Sequence, residues 1–307
     1  MADELDTVGA KLNALGLWQT IMPYHWALRP RGTVLPYFCA VLKGEGQVAW
    51  RFLLLEGWQT FHDFVRTRID RNFGFYLTPM EMAHFELVVL ADGALKVFRH
   101  DPGFLPVEVP PPRRPLAAKL LWEAYGVMLR LEGDPKLALS FSAERAMFAR
   151  VEGEDGRWRD EPLVIPEAPK YVEQVRFPKE LLARAKDLPL DTAASVAVDF
   201  RLRLGVMTRE ARPRTAYALV GVDGESGERI FFDQCSAGAE SGLKGMWEEV
   251  PQRILARLVE RGLIPGEIRL RSGRLFRLLR PLGVQLPLKF SLHDSLPALD
   301  RAFAQLP

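Results

Sequence analysis

Alternating hydrophobicity in the second half of the chain is the feature that most constrains its fold. Between Val196 and Leu204, apolar residues alternate with Ala197, Asp199, Arg201 and Arg203. This pattern predicts a strand with one buried face and one charged outer face. The next segments, TAYALVGV and RIFFDQC, flank the glycine-containing turn DGESGE and predict a hairpin.

Helices and strands alternate after this hairpin. Helical spacing of apolar residues begins near Pro251, at Arg274 and at Leu296. Short apolar runs at Ile268–Leu270 and Val284–Phe290 predict strands between these helices. From the hairpin onward the predicted order is ββαβαβα, which is reminiscent of a trimmed ribonuclease H-like sheet.

The first half of the chain predicts hairpins and helices of its own. Three pairs of apolar runs surround glycine-containing turns, with KGEG, ADG and GEDG between the strands. Trp58–Ile69 and Leu116–Leu131 have the three-and-four spacing of amphipathic helices. Six prolines between residues 102 and 115 exclude an interior helix or central strand there and predict an extended connector.

The composition and the punctuation of the chain predict two α+β domains. Hydrophobic residues make up 48% and charged residues 26% of the 307 residues, as in ordinary globular proteins. The stretch PEAPK is the best boundary, because it is rich in proline and charge and separates two sets of elements. We therefore expect an N-terminal α+β domain at 1–166 and a C-terminal domain with a mixed sheet at 170–307.

Charge and cysteine content favour a cytoplasmic protein that does not enter a membrane. The start MADELD is acidic, unlike a signal peptide, and no run approaches the roughly 18 apolar residues of a membrane span. Cys39 and Cys235 each lie in an apolar run, which predicts buried free thiols. The net charge of +2 is too small for a general binder of polyanions.

Searches for catalytic motifs give no catalytic residue, no metal site and no cofactor. The five histidines are scattered without His-x-x-x-His spacing, and the two cysteines never form Cys-x-x-Cys. The glycine-rich SAGAESGLKG departs from the spacing of a phosphate-binding loop, and no Gly-x-Ser-x-Gly elbow is present. These absences favour a protein that binds without catalysis.

A nuclease of the ribonuclease H type would need carboxylates that converge on two metal ions. Asp223, at a strand end, and Glu248 or Glu249, near the helix, are candidates for two of these positions. The third position holds Arg271 and Ser272, which oppose a metal cluster. The sequence thus favours an inactive relative of this fold over an active nuclease.

An arginine-rich stretch, IRLRSGRLFRLLRP, is the candidate binding surface. Its polar positions are nearly all arginine, without glutamates four residues away to pair with them. Three interpretations stay open: a solvated or internally paired face, a surface for an anionic partner such as nucleic acid or an acidic protein, and a subunit contact. The candidate residues are Arg269, Arg271, Arg274, Arg277 and Arg280.

Segments in both halves resemble uncharacterised protein families. PYFCAVLKGEGQVAWRFLLLEGWQTFHDFV and PGFLPVEVPPPRRPLAAKLLWEAYGVML resemble a bacterial family that pairs a glycine hairpin with a Pro-Gly-aromatic segment. RPRTAYALVGVDGESGERIFF, LVERGLIPGEIRLRSGRLFRLLRPLGVQL and LPALDRAF are similar to a domain of unknown function often found behind it. The resemblance implies the two-domain architecture and no activity.

Three hypotheses for function follow from the sequence. The first is a non-catalytic binding or interaction module with an unidentified partner. The second is a nucleic-acid-associated protein whose C-terminal domain is a degenerate nuclease. The third, a hydrolase assembled from carboxylates that are distant in sequence, depends on a convergence that only a structure can reveal.

Overall fold

The computed structural model describes residues 4–16, 25–69, 81–139, 145–168, 175–206, 212–238 and 242–306. The chain divides into two compact units, and each is described separately below. The first comprises Met1–Val65, Pro79–Asp101 and Pro106–Pro169, and the second comprises Arg66–Thr78, Pro102–Leu105 and Lys170–Pro307. Strands and helices are mixed in the described residues, so the predicted α+β class is confirmed.

The first unit contains one eight-stranded sheet and three helices among its described residues. The strands are β1 (Trp26–Arg29), β2 (Tyr37–Lys43), β3 (Val48–Glu56), β4 (His84–Leu90), β5 (Leu95–His100), β6 (Val107–Glu108), β7 (Ala146–Glu152) and β8 (Trp158–Val164). The helices are α1 (Glu4–Leu15), α2 (Gly57–Ile69) and α3 (Arg114–Gly133).

Hairpin pairing builds most of this sheet. Its strand order is β6-β5-β4-β3-β2-β1-β7-β8, and all neighbours are antiparallel except β1 and β7. The three predicted glycine-turn hairpins are therefore confirmed as β2–β3, β4–β5 and β7–β8. The proline-rich connector contains the two-residue strand β6 and a 3₁₀ turn at Pro111–Arg113, so it is not extended throughout.

The two faces of the sheet are packed differently. One face carries Trp50, Phe52 and Leu54 and packs in a core with α1 and with the buried side of α3. Successive side chains of a strand alternate between faces, so Leu53 and Leu55 point to the other side. There Phe38 stacks on Phe61 of α2, with ring centroids 4.5 Å apart. That second face also carries the polar side chains considered below.

The second unit contains a five-stranded sheet and four helices among its described residues. The elements are α4 (Lys179–Lys186), β9 (Leu190–Val206), β10 (Thr215–Asp223), β11 (Arg229–Ser236), α5 (Gly242–Arg261), β12 (Ile264–Leu270), α6 (Gly273–Gln285), β13 (Lys289–Leu292) and α7 (Pro297–Ala304). From the hairpin onward the order is ββαβαβα, as predicted.

The longest strand, β9, lies at the centre of this sheet. The strand order is β11-β10-β9-β12-β13, antiparallel on the β10 side and parallel on the β12 side. Val196, Val198 and Phe200 pack with α5 and α6 in the larger core. Ala197, on the opposite face, packs with Leu299 and Ala302 of α7. Helices therefore cover both faces of β9.

Several element boundaries differ from the prediction. Helix α5 begins at Gly242 rather than near Pro251, because Met246, Trp247 and Val250 extend its buried face toward the N-terminus. Helix α6 continues to Gln285, so the strand predicted at Val284–Phe290 begins later than expected, and β13 occupies Lys289–Leu292. None of the helices in the described ranges is long and apolar enough to cross a membrane.

We predict that limited proteolysis of the native protein cuts first between Glu167 and Lys170. This segment is rich in proline and charge, and each of the two units has its own apolar core. Residues that cross between independently folding cores are the ones a protease reaches first. Mass spectrometry of the first fragments gives the cut site, and a first cut inside Val196–Phe232 would contradict this boundary.

We predict that Leu258→Ala lowers the free energy of unfolding by about 2–5 kcal/mol, because truncation of a buried leucine leaves a cavity. Leu258 is fully buried on α5. The matched control on the same helix is Arg253→Ala, which removes only an exposed ion pair with Glu249 and should cost less than about 1 kcal/mol. Urea unfolding curves measure both, and equal losses would show that the buried face of α5 is wrongly assigned.

Candidate functional sites

The five candidate arginines do not form one open cationic surface. Arg269 on β12 donates from Nε to Glu267 Oε2 at 2.9 Å. Arg271, just after β12, donates from Nη2 to both carboxylate oxygens of Asp300 at 3.0 Å. The guanidinium carbon of Arg274 lies 4.0 Å from the centroid of the Trp247 ring. At least three of the five guanidinium groups are therefore engaged within the second unit.

The other two arginines are exposed. Arg277 and Arg280 lie one turn apart on α6, whose buried side carries Leu275, Leu278 and Leu279. The helix begins where Ser272 Oγ accepts the Leu275 N–H at 2.9 Å. This N-cap fixes the start of α6 and so decides which of its residues point outward.

An ion-pair network around the buried Asp199 lies beside these arginines at the centre of the sheet. Asp199 of β9 is fully buried, and Arg201 Nε donates to its Oδ2 at 2.6 Å. The same guanidinium donates from Nη2 to Asp300 Oδ1 of α7 at 2.8 Å, so Asp300 accepts from Arg201 and from Arg271. Two aspartates and two arginines from three elements thus meet on one face of the sheet.

The prediction that this face of β9 is an outer charged face is wrong at Asp199. Helix α7 covers it, and Leu299 and Ala302 of that helix are buried against the sheet. Arg201 keeps partial exposure, and its guanidinium carbon lies 4.4 Å from the centroid of the Phe303 ring. Alternation along one strand identifies its faces but not what covers each of them.

Neighbouring opposite charges, and not burial, set the direction of the pKa shifts of Asp300 and Arg201. Burial by itself would raise the pKa of Asp300, but hydrogen bonds and positive charge from Arg201 and Arg271 hold that pKa below its usual value. Burial would likewise lower the pKa of Arg201, but the Asp199 and Asp300 carboxylates raise it. Asp300 and Arg201 are therefore charged at neutral pH, and protein side chains supply the positive charge beside the carboxylates.

The three carboxylates that the sequence suggests as metal ligands contact backbone N–H groups and basic side chains. Asp223 Oδ1 accepts the N–H groups of Glu225 and Ser226 in the turn after β10, and Arg261 lies 3.3 Å from its Oδ2. Glu248 and Glu249 each pair with a basic residue four positions earlier or later on α5. The candidates from the sequence do not include Asp199, although Asp199 lies in the long alternating strand that the sequence predicts.

A second polar cluster lies in the first unit, on the α2 side of its sheet. His84, Glu86 and His100 are all buried. Each offers one atom that can bind a metal ion, and these three atoms lie within 4.8 Å of one another. Burial and the neighbouring His100 lower the pKa of His84 to about 3, so this imidazole is neutral at neutral pH. Sequence separation concealed this cluster, because His100 follows Glu86 by fourteen residues across a hairpin.

Comparison with known families bears on the second unit. Residues 181–307 match the family model described as a domain of unknown function (DUF6930). This segment includes all five strands of the second sheet, and the match confirms the expected resemblance of the C-terminal half to a domain of unknown function. Searches of curated proteins and of solved structures gave no significant match.

We predict that Arg201→Ala lowers the free energy of unfolding by about 3 kcal/mol, because it removes the 2.6 Å partner of a fully buried carboxylate. The control Arg229→Ala replaces an exposed arginine on β11 and should cost less than about 0.5 kcal/mol. Chemical denaturation measures both variants. A cost at Arg201 as small as that at Arg229 would mean that the ion pair contributes nothing to stability.

Proposed function

We propose that this protein is a non-catalytic binding module whose second unit is a degenerate relative of the ribonuclease H-like fold. The support from topology is the strand order β11-β10-β9-β12-β13, with β9 antiparallel to β10 and parallel to β12. Helices lie on both faces of the central strand. Fold alone does not decide activity, so the chemistry at the centre of the sheet carries the argument.

The observation that carries the proposal is the pairing of Asp199 and Asp300 with arginines. A two-metal nuclease needs converging carboxylates whose negative charge is neutralised by metal ions. Here Asp199 on the first strand and Asp300 on the last helix do converge, but guanidinium groups of Arg201 and Arg271 supply the positive charge. In the parallel pairing of β12 with β9, Leu270 lies opposite Val198. The residue that follows Leu270 is Arg271, and the residue that follows Val198 is Asp199.

Arginine cannot give up this position to a cation by losing a proton. The guanidinium stays charged at every physiological pH, so a divalent ion would have to displace it against both repulsion and hydrogen bonds. The Asp300 carboxylate accepts three of these bonds, at 2.8–3.0 Å. On this proposal, the centre stabilises the fold of the unit and holds no catalytic metal.

We predict that the purified protein cleaves neither DNA, RNA nor an RNA–DNA hybrid in the presence of Mg²⁺ or Mn²⁺. Denaturing gels with end-labelled substrates measure this. The control variants are Asp199→Asn and Asp300→Asn, with Glu249→Gln as a matched carboxylate outside the network. Cation-dependent cleavage that both aspartate variants lose and Glu249→Gln keeps would overturn the proposal, whereas cleavage that persists in all variants would indicate a contaminating nuclease.

Two features favour a second candidate, a nucleic-acid-associated protein with the same inactive centre. They are the topology of the second unit and the exposure of Arg277 and Arg280 on one turn of α6. Phosphate contacts from such side chains release counterions, so they make binding depend steeply on salt. The pairing of Arg269 and Arg271 within the unit reduces the positive charge that is available, which is why this candidate ranks second.

Retention on DNA, RNA and heparin across a salt series separates the two candidates. For a binding module without a nucleic-acid partner, we expect weak retention at about 0.15 M salt and no change in Arg277→Gln/Arg280→Gln. For the second candidate, the parent protein binds at that salt, and the double variant loses roughly two counterions' worth of slope in log affinity against log salt. Arg229→Gln is the matched control for loss of charge elsewhere.

A cytoplasmic location is part of the same proposal. Cys39 and Cys235 are buried free thiols, and burial raises the pKa of both. Such thiols stay protonated and unreactive, and cytoplasmic proteins usually keep their cysteines reduced.

A further inference from the structure

Three potential metal ligands occupy one face of the β4–β5 hairpin. His84 lies directly opposite His100 in the antiparallel register, and Glu86 opposes Phe98 two positions along. Because side chains alternate with a period of two, His84, Glu86 and His100 all point to the same side of the sheet. Their exposed fractions are 0%, 5% and 5%, so this is a buried polar cluster and not a surface patch.

The hydrogen bond of His84 decides which of its nitrogens is available. Nδ1 lies 2.8 Å from the carbonyl oxygen of Met82. A carbonyl oxygen only accepts, so Nδ1 carries the proton, and in the neutral ring Nε2 then has a free lone pair. Within the described part of the chain this buried Nε2 has no hydrogen-bond partner. Metal-binding histidines are typically oriented in this way, through a backbone carbonyl on the second nitrogen.

His100 is held in a similar way by a carboxylate. Its Nε2 lies 2.7 Å from Glu86 Oε2, and its buried Nδ1 has no partner among the described residues. The two imidazole rings stack with centroids 4.1 Å apart and planes 15° from parallel. Buried polar atoms in folded proteins are nearly all satisfied, so two unsatisfied ring nitrogens in one cluster point to a ligand that binds there.

We propose that His84, Glu86 and His100 bind one divalent transition-metal ion of the Zn²⁺ type. Two imidazole nitrogens and one carboxylate oxygen suit zinc and its neighbours, whereas Mg²⁺ and Ca²⁺ prefer oxygen ligands throughout. Ligand atoms at about 2.0–2.2 Å from an ion can lie up to roughly 4 Å apart. The donor atoms here lie within 4.8 Å of one another, so a small tilt of the stacked rings brings all three to the ion.

Binding replaces the hydrogen bond between His100 and Glu86. The proton in that bond moves to Nδ1 of the same ring, so the imidazole stays neutral, and the ion then contacts the Nε2 nitrogen and the carboxylate oxygen that shared it. Two arginines oppose this change by charge: Arg51, whose Nη1 lies 3.6 Å from Glu86 Oε1, and Arg99, whose positive charge acts on His84. Three protein ligands leave at least one coordination position for water or a small ligand.

The test is direct metal titration of the full-length protein after removal of bound metal with a chelator. Zn²⁺ affinity is measured by competition with a chromophoric chelator, and Co²⁺ is added separately to record its visible absorption. We expect one equivalent of Zn²⁺ per chain with a Kd below about 1 μM, and a Co²⁺ spectrum typical of four- or five-coordinate nitrogen and oxygen ligands. Absence of binding by the wild-type protein at that concentration would overturn the proposal.

Variants locate the site. His84→Gln, Glu86→Gln and His100→Gln should each weaken Zn²⁺ binding by about 100-fold or more, since ligand loss exceeds the 10–100-fold effect of losing an outer-shell contact. His293→Gln is the control, because His293 bonds Ser291 in the second unit and should leave the affinity unchanged. Far-ultraviolet circular dichroism confirms that each variant is folded. Binding that survives in all three hairpin variants would place the ion elsewhere and reject this site.

A charge variant keeps the proposal testable even where a ligand variant fails to fold. Arg51→Gln removes a partly exposed positive charge 3.6 Å from Glu86 Oε1 and changes none of the three proposed ligand residues. Loss of this repulsion should tighten Zn²⁺ binding several-fold at low salt and less at high salt, because exposed charges are screened. Unchanged or weaker binding in Arg51→Gln would contradict a cation beside Glu86.

Discussion

The burial of the Asp199 carboxylate in the central strand governs how the second unit packs. A carboxylate without exposure is tolerated only when opposite charge and hydrogen bonds accompany it. Arg201 supplies both, and it reaches on to Asp300 of α7. The position of α7 therefore depends on this ionic contact as well as on Leu299 and Ala302, which fill the apolar space beside it.

The two units accommodate a buried carboxylate in different ways, and the difference decides what each can bind. Asp199 is paired with a guanidinium, which keeps its charge at any physiological pH and so blocks a metal ion. Glu86 is paired with the imidazole of His100, a neutral-capable ring whose nitrogen can bind a metal ion in place of this hydrogen bond. On our proposals, a carboxylate in an apolar sheet is thus closed to cations in one unit and open to them in the other.

Local patterns predicted much of the fold because they act within a few residues. Glycine-containing turns between apolar runs predicted the β4–β5 and β10–β11 hairpins, and helical spacing predicted α2 and α3. The strand predicted at Val284–Phe290 begins only at Lys289, because a short apolar run suits either element and continued packing of α6 extends the helix to Gln285. The domain boundary at PEAPK stays a prediction until proteolysis tests it.

The candidate sites show the same difference between local patterns and contacts that other elements supply. The sequence by itself determined that the stretch 268–281 is amphipathic and rich in arginine, because periodicity is local. Only the tertiary structure decided that Arg271 bonds Asp300 and that Arg274 lies over Trp247, because these partners come from other elements. The same holds for His84 and His100, which sixteen positions separate in sequence and one antiparallel register brings face to face. Hydrogen bonding between strands brings such residues into contact, and the spacing of residues along the sequence does not predict these contacts.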